Sequence, residues 1–202
     1  MKIVYIETLI SKGSFPETPI WKEIHNKIKE GIESVDWPRG SGKFSIYPES
    51  GKQRNEGNGV KPIKDVLINR LKLSGWVAEK PLDIASNNRP GKLDAVLQIA
   101  EGNIAIEWET GNISSSHRAL NKMCLGLLKN VLIAGVLVVP SRELYQYLTD
   151  RVGNWNELKP YIDLWKNFNC QNGILEIIVI EQDEINKNVP RIPKGTDGRS
   201  LN

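Results

Sequence analysis

Cysteine and histidine are scarce in this sequence, with two residues of each in a chain of 202. Cys124 and Cys170 lie far apart, without the spacing of a zinc site or a disulfide framework, so we expect reduced thiols in a reducing compartment. His117 has no second histidine nearby and no nucleophile at the spacing of a catalytic triad. A structural contact is therefore the expected role of His117.

Long apolar runs and an excess of one charge are also lacking. No stretch reaches membrane-spanning length, and residues 1–11 lack the charged-then-apolar pattern of a signal peptide, so we expect a cytoplasmic protein. The net charge of +3 comes from 27 basic and 24 acidic side chains, and it permits nucleic-acid binding without indicating it. The length and the 40% hydrophobic content predict one domain over residues 1–202, with an irregular C-terminal arm from about residue 186.

Apolar periodicity predicts the order helix, helix, β-hairpin, helix, strand, two helices, strand along the chain. Residues 131–139 and 174–180 are almost uninterrupted apolar runs, as expected of strands buried on both faces and parallel to each other. The predicted fold class is α/β, with a central mixed β-sheet flanked by helices. Residues 39–61 are interpreted as either a mobile linker or a functional loop. Helices are predicted from Pro19, capped by Thr18, to before Trp37, and over residues 61–73, 116–130, 141–152 and 156–168.

Three carboxylates lie on a predicted β-hairpin that spans residues 93–109. Asp94 begins the first strand, and Glu107 and Glu109 lie two apart on the second, on one face, so antiparallel pairing brings all three together. Converging carboxylates repel one another and lose hydration, which a hard divalent cation such as Mg²⁺ would compensate. Carboxylate-bound Mg²⁺ beside a phosphate is suited to phosphodiester hydrolysis. The alternative is that the acids are solvated strand ends paired with lysine or arginine.

Five short motifs, in a fixed order along the chain, carry a family resemblance. They are Gly59–Lys64, Glu79–Ile84, Glu107–Arg118, Tyr147–Val152 and Ile192–Gly198. Together they resemble the BamHI family of type II restriction endonucleases from about residue 21 to residue 197, and the block at 107–115 is highly specific. The resemblance implies a restriction-endonuclease-like core and a homodimer that cuts palindromic double-stranded DNA, GGATCC by resemblance, leaving 5′ overhangs. It also implies one or two Mg²⁺ ions per active site and a companion DNA methyltransferase.

The resemblance assigns roles to the acidic residues. Asp94 and Glu107 are expected to be metal ligands, together with the backbone carbonyl of Trp108. Glu79 resembles a second-metal ligand, and Glu109 resembles the residue that orients or deprotonates the attacking water. The family's longer C-terminal extension has no counterpart here, so we expect any contacts that it makes to be missing.

DNA-contacting residues follow from the same motifs. Arginine can donate two hydrogen bonds to guanine, asparagine can bond adenine, and aspartate can accept from cytosine. The family also packs its dimer through helices that match those predicted from Ser116 and Asn156, with an apolar stripe of Tyr161, Leu164 and Trp165 that could equally face the core. Residues that resemble major-groove base readers are Asn112, Ser114, Arg118, Asp150 and Arg151; phosphate contacts are Lys61 and Lys64; and the arm that reaches the DNA backbone and minor groove includes Lys194, Gly195 and Asp197.

Simpler interpretations of these residues stay open. Asp150 and Arg151 could form a surface ion pair, Arg118 could be solvated, and the serines at 114–116 could cap a helix. Two other functions are also considered. A non-catalytic dimeric DNA-binding protein would share the base readers without needing convergent acids. A two-carboxylate glycoside hydrolase would act without metal and without affinity for DNA.

Overall fold

The computed structural model describes residues 1–52, 56–85, 91–149 and 152–194. This part of the chain contains the predicted helices and strands in the predicted order, together with further strands. The strands are β1 (Lys2–Lys12), β2 (Ser45–Ile46), β3 (Val77–Pro81), β4 (Lys92–Ile99), β5 (Gly102–Trp108), β6 (Leu132–Pro140), β7 (Gly173–Glu181) and β8 (Glu184–Ile185). The helices are α1 (Pro19–Glu33), α2 (Lys61–Lys72), α3 (Ile113–Leu128), α4 (Arg142–Tyr145), α5 (Trp155–Leu158) and α6 (Ile162–Lys166), with 3₁₀ turns at Phe15–Glu17 and Lys159–Tyr161.

Six strands form a mixed sheet in the order β1-β7-β6-β5-β4-β3. The central strands β5, β6 and β7 run parallel, whereas β1, β4 and β3 join the sheet by antiparallel pairing. All nine residues of β6 are buried, as expected of a strand with helices on both faces. The predicted mixed sheet and the predicted parallel pairing of residues 131–139 with 174–180 are therefore confirmed.

Two apolar clusters cover the two faces of this sheet. Residues of α1 and α2 pack with Ile104 and Ile106 of β5 in one cluster. Residues of α3 and α6 pack with Ala105 in the other. Because successive side chains of a strand alternate between faces, Glu107 projects towards the α3 side of the sheet, like Ala105.

The first two helices begin where the sequence predicts. The side chain of Thr18 accepts a hydrogen bond from the backbone N–H of Trp21 at 3.2 Å, and Pro19 opens α1. Helix α2 starts at Lys61–Pro62 and is followed by Gly75, whose φ of +86° suits glycine. These boundaries follow from local chemistry, so the sequence alone identifies them.

Three helix predictions need correction. Helix α3 begins at residue 113, because Asn112 rather than a later serine caps it, with its side chain accepting from the N–H of Ser114 at 3.0 Å. Of the helix predicted over 141–152, the described residues 141–149 and 152 contain only the four-residue α4, since backbone groups of 146–149 bond residues 51 and 58 instead. The helix predicted over 156–168 is divided into α5, a 3₁₀ turn and α6 around Pro160, which cannot donate a backbone hydrogen bond.

The loop-like stretch 39–61 is packed in its described part, which runs to residue 52 and resumes at residue 56. Its strand β2 pairs in parallel with β8, forming a small second sheet that the sequence analysis missed. Strands of two residues have no readable periodicity, and these partners lie 139 positions apart. The described residues are therefore not a free linker.

The two cysteines are free and buried, as predicted for reduced thiols. Burial raises the pKa of the Cys124 thiol to about 12, so it stays protonated and unreactive. A search of the described residues finds no helix with the length and apolar character needed to span a membrane.

Candidate active site

The acidic hairpin forms as predicted, and its register brings two of the carboxylates together. Ala95 of β4 pairs with Ile106 of β5, so Asp94 lies across from Glu107. This end of the hairpin is remote from its turn and close to the point where β5 leads into α3. The antiparallel pairing alone therefore places the two acids side by side.

Backbone hydrogen bonds fix both carboxylates. Oδ2 of Asp94 accepts from the N–H of Trp108 at 2.8 Å, and Oε2 of Glu107 accepts from the N–H of Asp94 at 3.2 Å. Each carboxylate is thus held by a backbone group of the opposite strand. The pair is consequently pre-positioned by the sheet and does not depend on a mobile loop.

Two lysines approach the pair from different helices. Nζ of Lys64, on α2, lies 2.8 Å from Oδ1 of Asp94. Nζ of Lys122, on α3, lies 3.8 Å from Oε1 of Glu107 and donates to the carbonyl oxygen of Lys92 at 2.7 Å. The pairing with lysine that we considered as an alternative for these acids is therefore present, although the acids are part of a cleft and not solvated strand ends.

The environment of the Asp94–Glu107 pair disfavours ionisation of Glu107. Burial and the neighbouring charge of Asp94 raise the pKa of Glu107 to about 7. Burial lowers the pKa of Lys122. A cation added beside Glu107 would favour its ionised form.

Glu109 is held separately, just after the end of β5. It is 5% exposed, and its Oε1 accepts from the N–H of Gly111 at 2.6 Å. The hydroxyl of Ser116, in the first turns of α3, donates to its other oxygen. Burial raises the pKa of Glu109. Ser116 was predicted only as a helix cap, and no sequence pattern marks it as the partner of Glu109.

The carboxylates open onto a cavity of about 1020 Å³. Its walls come from the end of the hairpin, from the connector after β5 and from the N-terminal half of α3. This volume is large enough to admit a phosphodiester with its flanking groups. Side chains that line it include Asp94, Glu107, Glu109, Ser114, His117, Arg118 and Lys122.

The donor set of the cleft fits a hard divalent cation with few protein ligands. Within the four described ranges, no group of three or more His, Cys, Asp or Glu side chains is arranged to hold a metal ion. Asp94 and Glu107 therefore offer two carboxylates, and further oxygens would come from a backbone carbonyl, water or phosphate. Mg²⁺ is commonly bound in this way, with one or two carboxylates and several other oxygens.

Glu79 lies on β3, which pairs with the edge of β4 that is opposite β5. The pairs Ala78–Ala95 and Lys80–Leu93 place its backbone across from Asp94. Its side chain instead points to Lys92, with Oε2 at 3.0 Å from Nζ, and is 72% exposed. The hydrogen bond from Lys92 lowers the pKa of Glu79. Its positive φ of 50° is unusual for a residue other than glycine.

The sequence-predicted DNA contacts that fall on described residues lie at the starts of α3 and α2 and at the end of the described chain, and two of them, Ser114 and Arg118, line the cavity. Asn112, Ser114 and Arg118 are exposed along the start of α3, where the side chain of Asn112 also caps the helix. Lys61 and Lys64 lie on the first turn of α2. Lys194 is half-buried at the end of the described chain. Asp150, Arg151, Gly195 and Asp197 lie outside the described residues.

The apolar stripe predicted near α6 divides between surface and core. Tyr161 and Leu164 are 50% and 65% exposed, whereas Trp165 is buried and donates its indole N–H to Asn121 at 3.0 Å. His117 packs edge-on against the ring of Tyr161, with 4.6 Å between ring centroids. A structural contact was the expected role of His117, and this packing provides one.

Comparison with known proteins gives consistent similarities. The family model "Restriction endonuclease BamHI" matches residues 1–199. The type II restriction enzyme OkrAI of Oceanobacter kriegii is 50% identical over 201 residues, covering 100% of both chains. The type II restriction enzyme BamHI of Bacillus amyloliquefaciens is 37% identical over 186 residues, covering 89% of this chain and 83% of that enzyme.

A solved structure shares the fold at low sequence identity. The restriction endonuclease BglII, in complex with a DNA 16-mer, superposes with a TM-score of 0.63 at 10% identity. The match covers 95% of this chain and 86% of that one. The restriction-endonuclease-like α/β core expected from the sequence is thereby confirmed.

Proposed function

The chain belongs to the BamHI family of restriction endonucleases and is a type II restriction endonuclease, and from this we propose that it cleaves double-stranded DNA at GGATCC by metal-dependent phosphodiester hydrolysis. The products in this proposal carry 5′ overhangs. The observation that carries the proposal is the Asp94–Glu107 pair, held by backbone N–H groups at the mouth of a large cavity.

The first proposed step is assembly of the reacting groups in the cleft. Asp94 and Glu107 would hold a divalent cation, Mg²⁺ in this proposal, with the carbonyl oxygen of Trp108 completing the set of protein oxygens. Bound there, the cation would stabilise charge on the phosphate and leaving oxygen and make a bound water more acidic. We assign Glu79 to a second metal position; its side chain would have to leave Lys92 to take part.

Glu109 is the proposed base. Its buried carboxylate is held by Ser116 and Gly111, so it is oriented before substrate arrives. Burial raises its pKa, which makes its ionised form a better proton acceptor. Glu109 would take a proton from the water that attacks phosphorus. The ammonium of Lys64 can leave its ion pair with Asp94 and pair with a phosphate oxygen instead. A lysine stem is flexible, and its ammonium serves as a point charge.

Contacts with DNA are assigned to the start of α3 and to three further segments. Ser114 and Arg118 line the cleft, and Asn112 caps the same helix, so bases read by them would lie beside the scissile phosphate. We assign Asp150 and Arg151 to base reading and Lys61 to a phosphate contact. The arm at 194–197, with Lys194, Gly195 and Asp197, is assigned to the DNA backbone and minor groove.

A homodimer follows from the palindromic site that we propose. A two-fold protein presents one active site to each strand. The exposed Tyr161 and Leu164 are the apolar side chains that would meet across the axis. Leu164→Glu should convert the dimer to monomer in sedimentation experiments and leave the fold intact by circular dichroism. We further propose one domain over the whole chain, a cytoplasmic location and a companion methyltransferase without direct contact.

Digestion of a sequenced plasmid tests the proposal directly. Purified protein is incubated with Mg²⁺ or with EDTA, and the DNA ends are mapped. Cleavage only at GGATCC, with 5′ overhangs and only in Mg²⁺, is the expected result. Metal-dependent cuts at another palindrome would overturn the base-reader assignments. Specific DNA binding without cleavage would instead favour the non-catalytic binding protein.

A further inference from the structure

One buried amide, Asn58, joins three segments that are far apart in the sequence. Asn58 is 0% exposed, and its Nδ2 donates to the carbonyl oxygens of Tyr47 at 2.9 Å and Tyr147 at 3.0 Å. Its Oδ1 accepts from the N–H of Ile192 at 3.1 Å. Its backbone donates to Tyr147 at 2.8 Å and accepts from Thr149 at 2.9 Å. Every polar group of the residue is therefore satisfied.

The backbones around Asn58 approach one another so closely that side chains are excluded. A Cβ atom on Gly51 would lie 1.6 Å from the carbonyl oxygen of Leu148, and one on Gly59 would lie 2.1 Å from that of Pro193. These contacts are backbone to backbone, so a flexible side chain could not relieve them. The three segments consequently form one tightly fitted unit.

Each of the three segments leads directly towards residues that we propose to contact DNA. Helix α2 starts three residues after Asn58 and carries Lys64, which bonds a cleft carboxylate at 2.8 Å. The second segment is followed by Asp150, which lies outside the described residues. The third segment continues to Lys194. One side chain, that of Asn58, thus fixes the relative positions of parts of the proposed DNA surface that are distant in sequence.

We propose that Asn58 is a positioning residue that sets the register of these segments for DNA recognition. The inference rests on the proposed function, and it gives the 39–61 loop a role without direct contact between Asn58 and DNA. Loss of the amide would let the segments shift relative to the cleft. A misplacement of about 1 Å can cost about 100-fold in rate. The loss would be greater at the cognate site, because only there do all the base readers engage together.

The test compares cleavage of two sites by Asn58→Asp. This variant keeps the size of the side chain and its acceptor for the N–H of Ile192, but it loses both donated hydrogen bonds. Cleavage rates are measured at GGATCC and at a site with one substituted base pair, at a temperature where circular dichroism shows a native fold. The ratio of the two rates is expected to fall by about tenfold or more relative to wild type.

A matched control is Asn103→Asp, whose amide donates to the carbonyl oxygen of Val131 at 2.9 Å, near the turn of the hairpin. Its rate ratio should equal that of wild type. An unchanged ratio of the two rates in Asn58→Asp would overturn the proposal. Proportional losses of rate at both sites would give such a ratio and would indicate a purely structural residue. Wild-type protein that cuts no defined site would refute the proposed function itself, and the role of Asn58 with it.

A milder variant tests the same unit if Asn58→Asp does not fold. Oε2 of Glu49 accepts from the N–H of Gly57 at 2.8 Å and from Nη1 of Arg191 at 2.5 Å, which ties the loop to the third segment near the surface. Glu49→Ala should lower the rate ratio about two- to fivefold, as expected for a partly exposed link. A folded Glu49→Ala protein with the wild-type ratio would contradict the proposal.

Discussion

Acids at two places in this sheet are compensated in opposite ways. In the cleft, burial and the charge of Asp94 raise the pKa of Glu107 to about 7. On β1, burial raises the pKa of Glu7, but hydrogen bonds from Lys166 and Tyr5 lower it more, so the net pKa lies below the ordinary value. Both acids lie on strands of the sheet, so strand position alone does not separate them.

Glu7 of β1 and Glu176 of β7 project to opposite faces of the sheet, and each is closed by its own partners. Oε2 of Glu176 lies 2.9 Å from Nε2 of His25 on α1, and its Oε1 accepts from the hydroxyl of Thr8 at 3.0 Å. Nζ of Lys166 lies 2.5 Å from Oε1 of Glu7. These acids hold helices against the sheet, whereas the cleft acids face a cavity of about 1020 Å³. Burial of an acid is therefore not in itself a sign of chemistry, whereas an acid with a raised pKa that faces a cavity is a candidate for it.

The largest expected contrast is in cleavage. Asp94→Asn keeps an acceptor for the N–H of Trp108 but removes an anionic oxygen from the cleft. We expect the rate of DNA cleavage to fall on the order of 1000-fold, because charge stabilisation at the phosphate is lost. Plasmid nicking in Mg²⁺ measures the rate, and thermal melting controls for folding. Cleavage at the wild-type rate would remove Asp94 from the active site.

The next contrast is the pH dependence of stability. Folded Glu107 keeps its proton to about pH 7, whereas the unfolded residue loses it near 4.5, so the folded state binds more protons in that window. The free energy of unfolding should therefore decrease as pH rises from about 5 to about 8, by about 3 kcal/mol from this group. Urea unfolding in EDTA measures the slope. Glu107→Gln should flatten it, and an unchanged slope would contradict the pKa shift.

A smaller effect is expected at Glu176. Glu176→Gln retains an acceptor for Thr8 but removes the charge beside His25. We expect the free energy of unfolding to fall by about 1–3 kcal/mol, with unchanged cleavage per folded molecule. The control is Glu30→Gln, an exposed acid on the helix that carries His25. A loss of cleavage beyond the loss of folded protein would give Glu176 a functional role.

The smallest effect is expected at Lys166, whose side chain is 45% exposed. Lys166→Met should destabilise the protein slightly at neutral pH and low salt. Because the folded pKa of Glu7 is lowered, this contribution is present above its ordinary pKa and is lost as pH falls through the folded value. High salt should also remove the difference, since exposed ion pairs are screened. A difference that persists in salt would indicate lost packing by the lysine stem.

The acidic pair was predictable because its members are close in sequence. Asp94 and Glu107 are joined by a short hairpin, and alternation along a strand fixes which face each occupies. Lys122, Ser116 and the Asn58 unit were not found, because their partners come from other elements and no local pattern records such contacts. The division of the helix predicted over 156–168 was missed, because the apolar spacing continues through Pro160. That spacing indicates which residues are buried, but not which backbone groups form hydrogen bonds.

The sequence by itself determined the buried strands β6 and β7, the starts of α1 and α2 and the acidic hairpin, because these depend on propensities and periodicities within a few residues. The motif block at 107–115 also indicated the family. Only the tertiary structure decided that Glu107 has a raised pKa, that Lys64 neutralises Asp94 and that the 39–61 loop is bound at Asn58. Burial, charge balance and long-range hydrogen bonds depend on which distant segments meet, and that is a property of the folded chain.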